Sequence, residues 1–190
     1  MKKIAAPADG VDKIAEEWGR AQPDLDLEAM EITGRIYRLS LLIERYSESI
    51  CREYGFGFGE CDLLLTLRRR GPPYTQRPTD LSQASLVTSG ATTGRIDRLA
   101  ALGLVDRVDS STDRRATYVH LTHRGWEVTD ALIARLLKGT PTHAALLDVS
   151  KAEKKKVNSI LRLLLRTLEE NAELEEAKEP LPGPRAVKRA

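Results

Sequence analysis

Residues 79–108 read TDLSQASLVTSGATTGRIDRLAALGLVDRV, and the predicted architecture is built around them. Thr79 is a good cap for a short helix over residues 80–84. A second helix is predicted over 88–101, and Gly103 supplies the left-handed backbone that commonly ends a helix. The stretch therefore predicts two consecutive helices joined by a short turn.

The residues that follow predict two β-strands. Residues 104–108 have β-type character, and residues 116–121 alternate as a returning strand. Between them lies the polar tip DSSTDRR, which contains Arg114 and Arg115. Helix, turn, helix and a two-stranded ribbon are the plan of a winged helix-turn-helix, whose second helix enters the major groove of DNA by its N-terminus. A helical hairpin with an exposed polar ribbon remains the alternative.

The predicted DNA contacts come from both parts of this motif. The start of the second helix is rich in hydroxyls and small residues, which permits close approach to phosphates and base edges. Arginine at the ribbon tip suits the negative potential of a narrow minor groove. We therefore predict a major-groove surface formed by Thr88, Ser89, Thr92 and Thr93. We also predict a phosphate contact by Arg98 and a minor-groove contact by Arg114 or Arg115.

The charge distribution agrees with a nucleic-acid partner. The chain of 190 residues has a net charge of +2, but residues 61–125 carry ten arginines, no lysine and six acidic residues. The planar fork of arginine suits phosphate oxygens and guanine edges better than the point charge of lysine does. Solvated or ion-paired arginines would produce the same composition.

Composition also limits the class of protein. A hydrophobic fraction of 41% and a charged fraction of 31% predict one globular domain with a small extension, and they exclude a wholly disordered chain. No apolar run is long enough for a transmembrane helix or a signal peptide. Two cysteines are too few for a disulfide scaffold. A cytoplasmic protein without membrane contact is therefore predicted.

Helical signals extend to both sides of the DNA-binding motif. Asp9 can cap a helix that Pro23 ends, and Ser150 with Glu153 forms a capping box for a last amphipathic helix. A long helix is predicted over about 26–53. At about 40 Å it is longer than a small core requires, which is typical of a helix that packs against a partner chain. Its apolar positions recur at helical spacing, at Leu39, Ile43, Tyr46 and Ile50.

Four motifs together resemble the multiple-antibiotic-resistance regulator (MarR) family: TSGATTGRIDRL at 88–99, GLVDR at 103–107, DRR at 113–115 and LTHRG at 121–125. The similarity in element order covers about residues 27–170. The resemblance implies a dimeric winged-helix repressor, in which the N- and C-terminal helices interlock two chains. One departure is Gly94, because the family often has asparagine there; operator preference is expected to differ accordingly.

The expected protein is mainly α, with a winged helix-turn-helix, a two-stranded β wing and an α-helical dimerisation region. We expect it to form a homodimer on double-stranded DNA, at a pseudo-palindromic operator. The predicted segments are 1–8 as a disordered N-terminus, 9–22 as an extra N-terminal helix, 23–60 and 126–177 as the dimerisation region, 61–125 as the DNA-binding lobe and 178–190 as a disordered tail.

A finer similarity is to the urate-responsive, PecS-like branch of the family. It implies that Trp18, Asp62 and Arg95 bind a small anionic or aromatic ligand such as urate, and that Asp80 and Arg107 couple the ligand site to the DNA-binding lobe. An indole face, a guanidinium and a carboxylate would suit a planar anionic purine. Alternatively, Trp18 anchors the first helix and Asp62 forms a structural ion pair with Arg95.

Three other functions are weighed against this one. A constitutive or architectural DNA-binding protein would need no ligand, and a redox-sensing repressor would use Cys51 or Cys61, provided that a thiol is exposed and has a lowered pKa. His120 and His123 lack further ligands for a metal, so neither a metal nor a cofactor is predicted. No phosphate-binding loop or nucleophile elbow is present in the sequence, so an enzyme is not expected.

Overall fold

The computed structural model describes residues 7–86, 92–109 and 117–176, and it divides the chain into two units, 1–144 and 145–190. The elements in order are α1 (Gly10–Ala21), α2 (Glu28–Arg52), α3 (Phe58–Arg69), β1 (Thr75–Gln76), α4 (Pro78–Ala84), α5 (Thr92–Ala101), β2 (Val105–Asp109), β3 (Thr117–Leu121), α6 (His123–Ile133) with a π-helical turn (Ala134–Lys138), α7 (Pro141–Leu147) and α8 (Lys151–Glu176). The predicted tail 178–190 and residues 1–6 of the predicted N-terminal segment lie outside the described residues.

Several local sequence signals form the elements that they predict. The Asp9 carboxylate accepts a hydrogen bond of 2.6 Å from the Val11 amide and caps α1. Gly103 has a φ of +68° after the last turn of α5. The Thr122 hydroxyl accepts from the Gly125 amide at 2.9 Å and caps α6. Short-range hydrogen bonds of this kind depend on residue types only a few positions apart, which explains why they are predictable.

One predicted helix boundary is wrong, and one helix was not predicted. The fourth helix begins at Pro78 and not after Thr79, because the fixed φ of proline suits the first position of a helix. The helical region formed by α6 and its π-helical turn ends at Gly139, and α7, for which no helix is predicted, begins at Pro141. There the Thr140 hydroxyl accepts from the His143 amide at 3.0 Å.

The sheet has three strands in the order β1-β3-β2, all antiparallel, whereas the sequence predicts two. The β2–β3 hairpin is the expected wing. The added strand, β1, pairs Thr75 with His120, and the Thr75 hydroxyl lies 2.9 Å from His120 Nδ1. Two residues are too few to show strand periodicity, so this strand has no signal of its own.

The core of the first unit forms where α3, α4, α5 and the sheet meet. Its side chains are at most 1% exposed, and they include Leu64, Leu67, Leu81, Ile96, Leu99 and Val119. Arg68 connects α3 to α6, because its Nε donates to Asp130 at 2.8 Å while its guanidinium stacks over Trp126. Ile96 and Leu99 place one face of α5 in this core, and the opposite face of the helix therefore remains outside.

Helix α1 packs against α2 and runs antiparallel to it. A Cβ at Gly34 would lie 3.4 Å from Val11, and a Cβ at Gly19 would lie 3.7 Å from Leu27. Arg35 holds the two helices together, since it forms ion pairs with Asp9, Asp12 and Glu31 at 3.0, 2.5 and 3.1 Å. The C-terminal end of α1 therefore lies at the N-terminal end of α2.

In the second unit, the Ser150 hydroxyl accepts from the Glu153 amide at 3.2 Å, and the Glu153 carboxylate accepts from the Ser150 amide at 3.1 Å. This is the predicted capping box, and α8 follows it. Within the described ranges, the structure contains no helix with the length and apolar character needed to cross a bilayer.

Gly125 allows α6 to approach the end of α5. A Cβ at this position would overlap the carbonyl oxygen of Leu104, which belongs to the backbone and has little freedom to move. We expect Gly125→Ala to lower the free energy of unfolding by about 1–3 kcal/mol, measured by urea denaturation. The matched control is Gly94→Ala, because Gly94 is exposed within α5 and its Cβ would meet no atom closer than 3.9 Å. The control should be neutral or stabilising by about 1 kcal/mol; equal losses in both variants would contradict the packing argument.

Candidate nucleic-acid interface

Helix α5 presents a polar surface opposite its buried face. Ile96 and Leu99 are each 1% exposed, whereas Thr93, Gly94 and Asp97 are exposed. Thr92 begins the helix and is half-buried. The predicted contacts Thr88, Ser89, Arg114 and Arg115 lie outside the described residues.

An ion pair joins α5 to the wing. Arg107 on β2 donates to Asp97 on α5 at 2.6 Å. The Asp97 carboxylate is 60% exposed, so it would otherwise present an uncompensated negative charge close to any bound phosphate. The other predicted coupling residue, Asp80, accepts from the Thr79 hydroxyl at 3.4 Å. The described contacts thus pair Arg107 with Asp97 rather than with Asp80.

A buried carboxylate holds the predicted phosphate contact. Nε of Arg98 donates to Glu60 Oε1 at 2.6 Å, and Nη2 of Arg98 also contacts this oxygen. The side chain of Glu60 is 6% exposed and that of Arg98 is 62% exposed. The pair therefore connects the first turn of α3 to the surface of α5.

Asp62 on α3 and Arg95 on α5 meet at one face of α3. Asp62, 1% exposed, accepts from the Leu86 amide at 2.6 Å and so fixes the chain just after α4. The Arg95 side chain lies across Gly59, where a Cβ would stand 2.5 Å from its Nε. Gly59 and Asp62 are three residues apart and thus share a helix face. Two of the three predicted ligand residues are therefore neighbours.

Trp18 lies elsewhere in the same chain. It is 46% exposed and precedes Gly19, which faces Leu27 at the N-terminal end of α2. Asp62 follows Cys61, whose thiol contacts Cys51 at the other end of α2. At 1.5 Å per residue these two positions on α2 are roughly 36 Å apart. A single chain does not bring Trp18 to Asp62 and Arg95.

The two cysteines meet between α2 and α3. Their thiols lie in contact, and both residues are 0% exposed. The contact with Cys51, together with burial, raises the pKa of the Cys61 thiol above its ordinary value, and the same contact lowers the pKa of the Cys51 thiol. Complete burial slows the oxidation of both thiols, because an oxidant must reach the sulfur atom. The sequence did not reveal this contact, since ten residues and a glycine-rich break separate the two.

Two neighbouring cavities lie along α2. The larger, about 480 Å³, is lined by Leu39, Leu42, Ile43, Tyr46, Ser47, Leu136, Thr140, Pro141 and Thr142. The smaller, about 280 Å³, lies between α1 and α2 and shares Leu39 and Leu42 with the first. Both walls are largely apolar. Among the described residues, no group of three or more histidine, cysteine or carboxylate side chains is placed to hold a metal ion.

Sequence reasoning missed Glu60 and Asp97. Glu60 carries one local signal, because it occupies the position where a glutamate closes a capping box, and its Oε2 accepts from the Gly57 amide at 3.2 Å. Nothing local pairs it with Arg98, which is 38 residues further along the chain. Asp97 lies within the quoted helix, but its partner is known only once β2 is placed beside α5.

Known proteins share both the sequence and the fold of this lobe. A model of the MarR family matches residues 54–116. The HTH-type transcriptional regulator PecS of Dickeya dadantii is 35% identical over 123 residues, which are 65% of this chain and 74% of PecS. AbsC, a MarR family transcriptional regulator from Streptomyces coelicolor, matches 76% of this chain and 96% of its own, with a TM-score of 0.64 at 19% identity. Sco3205, from the same organism and solved in complex with DNA, matches 76% of this chain and 89% of its own, with a TM-score of 0.59 at 20% identity.

Proposed function

The chain belongs to the MarR family of transcriptional regulators, and its likeness to PecS supports the PecS-like branch. From this premise we propose that the protein is a homodimeric repressor and that a small ligand releases it from DNA. Members of the family are DNA-binding regulators and not enzymes. The observation that carries the proposal is the placement of α5, whose apolar face is fixed in the core while its polar face points outward beside the wing. A repressor must reach the chromosome, which agrees with the predicted cytoplasmic location.

In this proposal, the first turn of α5 enters the major groove. Thr92 and Thr93 stand at that turn, and Thr88 and Ser89 precede it directly in the sequence. Arg98 contacts a phosphate, and Arg114 or Arg115 reaches the minor groove from the tip of the wing. Two half-sites should lie one helical turn apart, about 10 base pairs, because a twofold dimer presents two equivalent reading helices.

Arg114→Ala should weaken binding to duplex DNA from the protein's own promoter and make its salt dependence shallower, because the substitution removes one cation from the interface. Fluorescence anisotropy over a range of salt concentrations measures both effects. The matched control is Arg20→Ala, which removes the same charge from an exposed position on α1. Unchanged affinity in Arg114→Ala would remove the wing from the interface, and absence of sequence-specific binding by the wild type would overturn the repressor.

The proposed dimer rests on apolar surface that one chain leaves exposed. Tyr37 and Leu42 on α2 are 65% and 58% exposed, and the larger cavity opens along the same helix. Considered separately, α8 exposes a further set of large apolar side chains. Contiguous apolar surface of this extent is typical of a subunit interface. The exposed residues of α8 are Val157, Ile160, Leu161, Leu163, Leu165 and Leu168.

We expect sedimentation velocity to give twice the chain mass of 21.1 kDa at micromolar concentration. Leu42→Glu should shift the protein toward the monomer, because it places a charge in the proposed interface. Val108→Glu is the matched control, since Val108 is an apolar residue of similar exposure, 46%, on the wing strand β2. A wild-type monomer, or dissociation by both variants alike, would contradict the assignment of α2.

The proposed ligand is a small planar anion of the urate type. Asp62 and Arg95 share one face of α3, and they provide a carboxylate for N–H groups and a guanidinium for the charge. Since Trp18 of the same chain is far along α2, a site that includes all three residues takes its indole from the second chain of the dimer. Because Arg95 belongs to α5 and Asp62 holds the chain just after α4, a ligand on this face would act on both helices of the motif.

Urate should release the wild-type protein from promoter DNA, whereas trans-aconitate and salicylate serve as anion controls. A hundredfold loss of affinity corresponds to about 2.7 kcal/mol of preference for the non-binding state. Trp18→Ala should bind DNA normally but no longer respond, and Ile14→Ala, a similarly exposed neighbour on α1, should respond as the wild type does. A full response by Trp18→Ala would remove the indole from the site.

Mixed dimers test whether the site joins two chains. Trp18→Ala and Asp62→Asn chains should each be inactive toward urate alone. Each mixed dimer of the two should recover one of its two urate sites, because that site keeps Trp18 from one chain and Asp62 from the other. If no compound releases the wild type, the constitutive DNA-binding alternative is favoured. The contact between Cys51 and Cys61 and the lowered pKa of the Cys51 thiol favour the redox alternative, and the burial of both thiols weighs against it.

A further inference from the structure

The Glu60–Arg98 pair differs from an ordinary surface ion pair in the burial of its acid. Glu60 is 5% exposed, so its carboxylate has little contact with water. In the described part of the chain its partners are the Gly57 amide, on Oε2, and Arg98, on Oε1. Removing one partner from a buried charge is far more costly than breaking an exposed pair. Arg98 is therefore held at Glu60 whether or not DNA is present.

Arg98 is nevertheless available for another contact. A guanidinium has five N–H donors in one plane, and Glu60 engages Nε and Nη2. The side chain remains 62% exposed. Nη1 lies 3.9 Å from the point where a Cβ at Gly94 would stand, so it runs along the exposed surface of α5 beside a residue without a side chain. A phosphate oxygen can approach the remaining donors there.

We propose that Glu60 is a positioning residue for DNA binding: its buried carboxylate fixes the Arg98 guanidinium at the surface of α5 and so preorganises it for one DNA phosphate. The inference rests on the proposed contact between Arg98 and phosphate. A long side chain that is already held in place loses less rotamer entropy when it binds. Glu60 thereby contributes to DNA affinity without touching DNA.

The experiment measures anisotropy of a promoter duplex with the full chain over a range of salt concentrations. Glu60→Gln should weaken binding by about three- to tenfold and leave the slope of log K against log salt unchanged, because Arg98 still reaches the phosphate but must first be ordered. Arg98→Met should make the slope shallower by about 0.9, the value for one phosphate that is no longer neutralised. In the Arg98→Met background, Glu60→Gln should have no further effect on DNA affinity.

Two further variants keep the test independent of folding. Glu53→Gln is the matched control, because Glu53 also forms an ion pair with an arginine, Arg135, at 2.8 Å. Glu53 lies at the end of α2, and Arg135 belongs to the π-helical turn and not to α5. The Glu53→Gln variant should bind DNA as the wild type does. Arg98→Lys changes no buried residue and retains the charge, but it lacks the Nε donor; it should weaken binding without changing the slope.

Each outcome has a distinct meaning. Wild-type DNA affinity in Glu60→Gln or in Arg98→Lys would overturn the inference. An equal loss of DNA affinity from Glu60→Gln in the presence and in the absence of Arg98 would also overturn it, because Glu60 would then act only through general stability. Tighter binding by Glu60→Gln would show that the carboxylate competes with phosphate, which also overturns it. Failure of the wild type to bind any promoter duplex would instead overturn the proposed function.

Discussion

Two buried carboxylates on α3 connect this helix to the two helices of the DNA-binding motif. Glu60 accepts hydrogen bonds from Arg98 on α5, and Asp62 accepts from the backbone of Leu86 just after α4. Both acids lie in the first turns of α3, where a shift of the helix would move both contacts together. Because buried charges tolerate the loss of a partner poorly, these bonds hold α5 and the residues after α4 to α3 more firmly than apolar packing alone would.

The remaining contacts of this lobe are organised around that connection. Arg107 attaches β2 to the outer face of α5 through Asp97, so this ion pair holds the wing strand beside the helix. Arg95 crosses α3 at Gly59, in the first turn of that helix. The thiols of Cys51 and Cys61 meet at the same turn from the side of α2. A ligand or a modification at the start of α3 would therefore act on the DNA-binding surface over a short distance.

Helix α2 has a different role, because much of its apolar surface is exposed in the described part of the first unit. Its length separates Trp18 at one end from the start of α3 at the other. The proposed dimer accounts for both facts, since a second chain would cover the exposed leucines and would bring an indole to a site that one chain leaves incomplete. The ligand site and the subunit interface then become parts of one structure.

Local patterns predicted most of the fold. Asp9, Thr122, Ser150 and Gly103 act on residues within a few positions of themselves, and the sequence by itself determined the helices other than α7, the hairpin, the polar face of α5 and the resemblance to a family of regulators. It did not reveal β1, which is too short to show a period, nor the partners of Glu60 and Asp97. It also grouped Trp18 with Asp62 and Arg95, although one chain holds them apart. Those relations were decided only by the tertiary structure, because burial and pairing between residues tens of positions apart depend on how whole helices pack, and no short-range pattern records it.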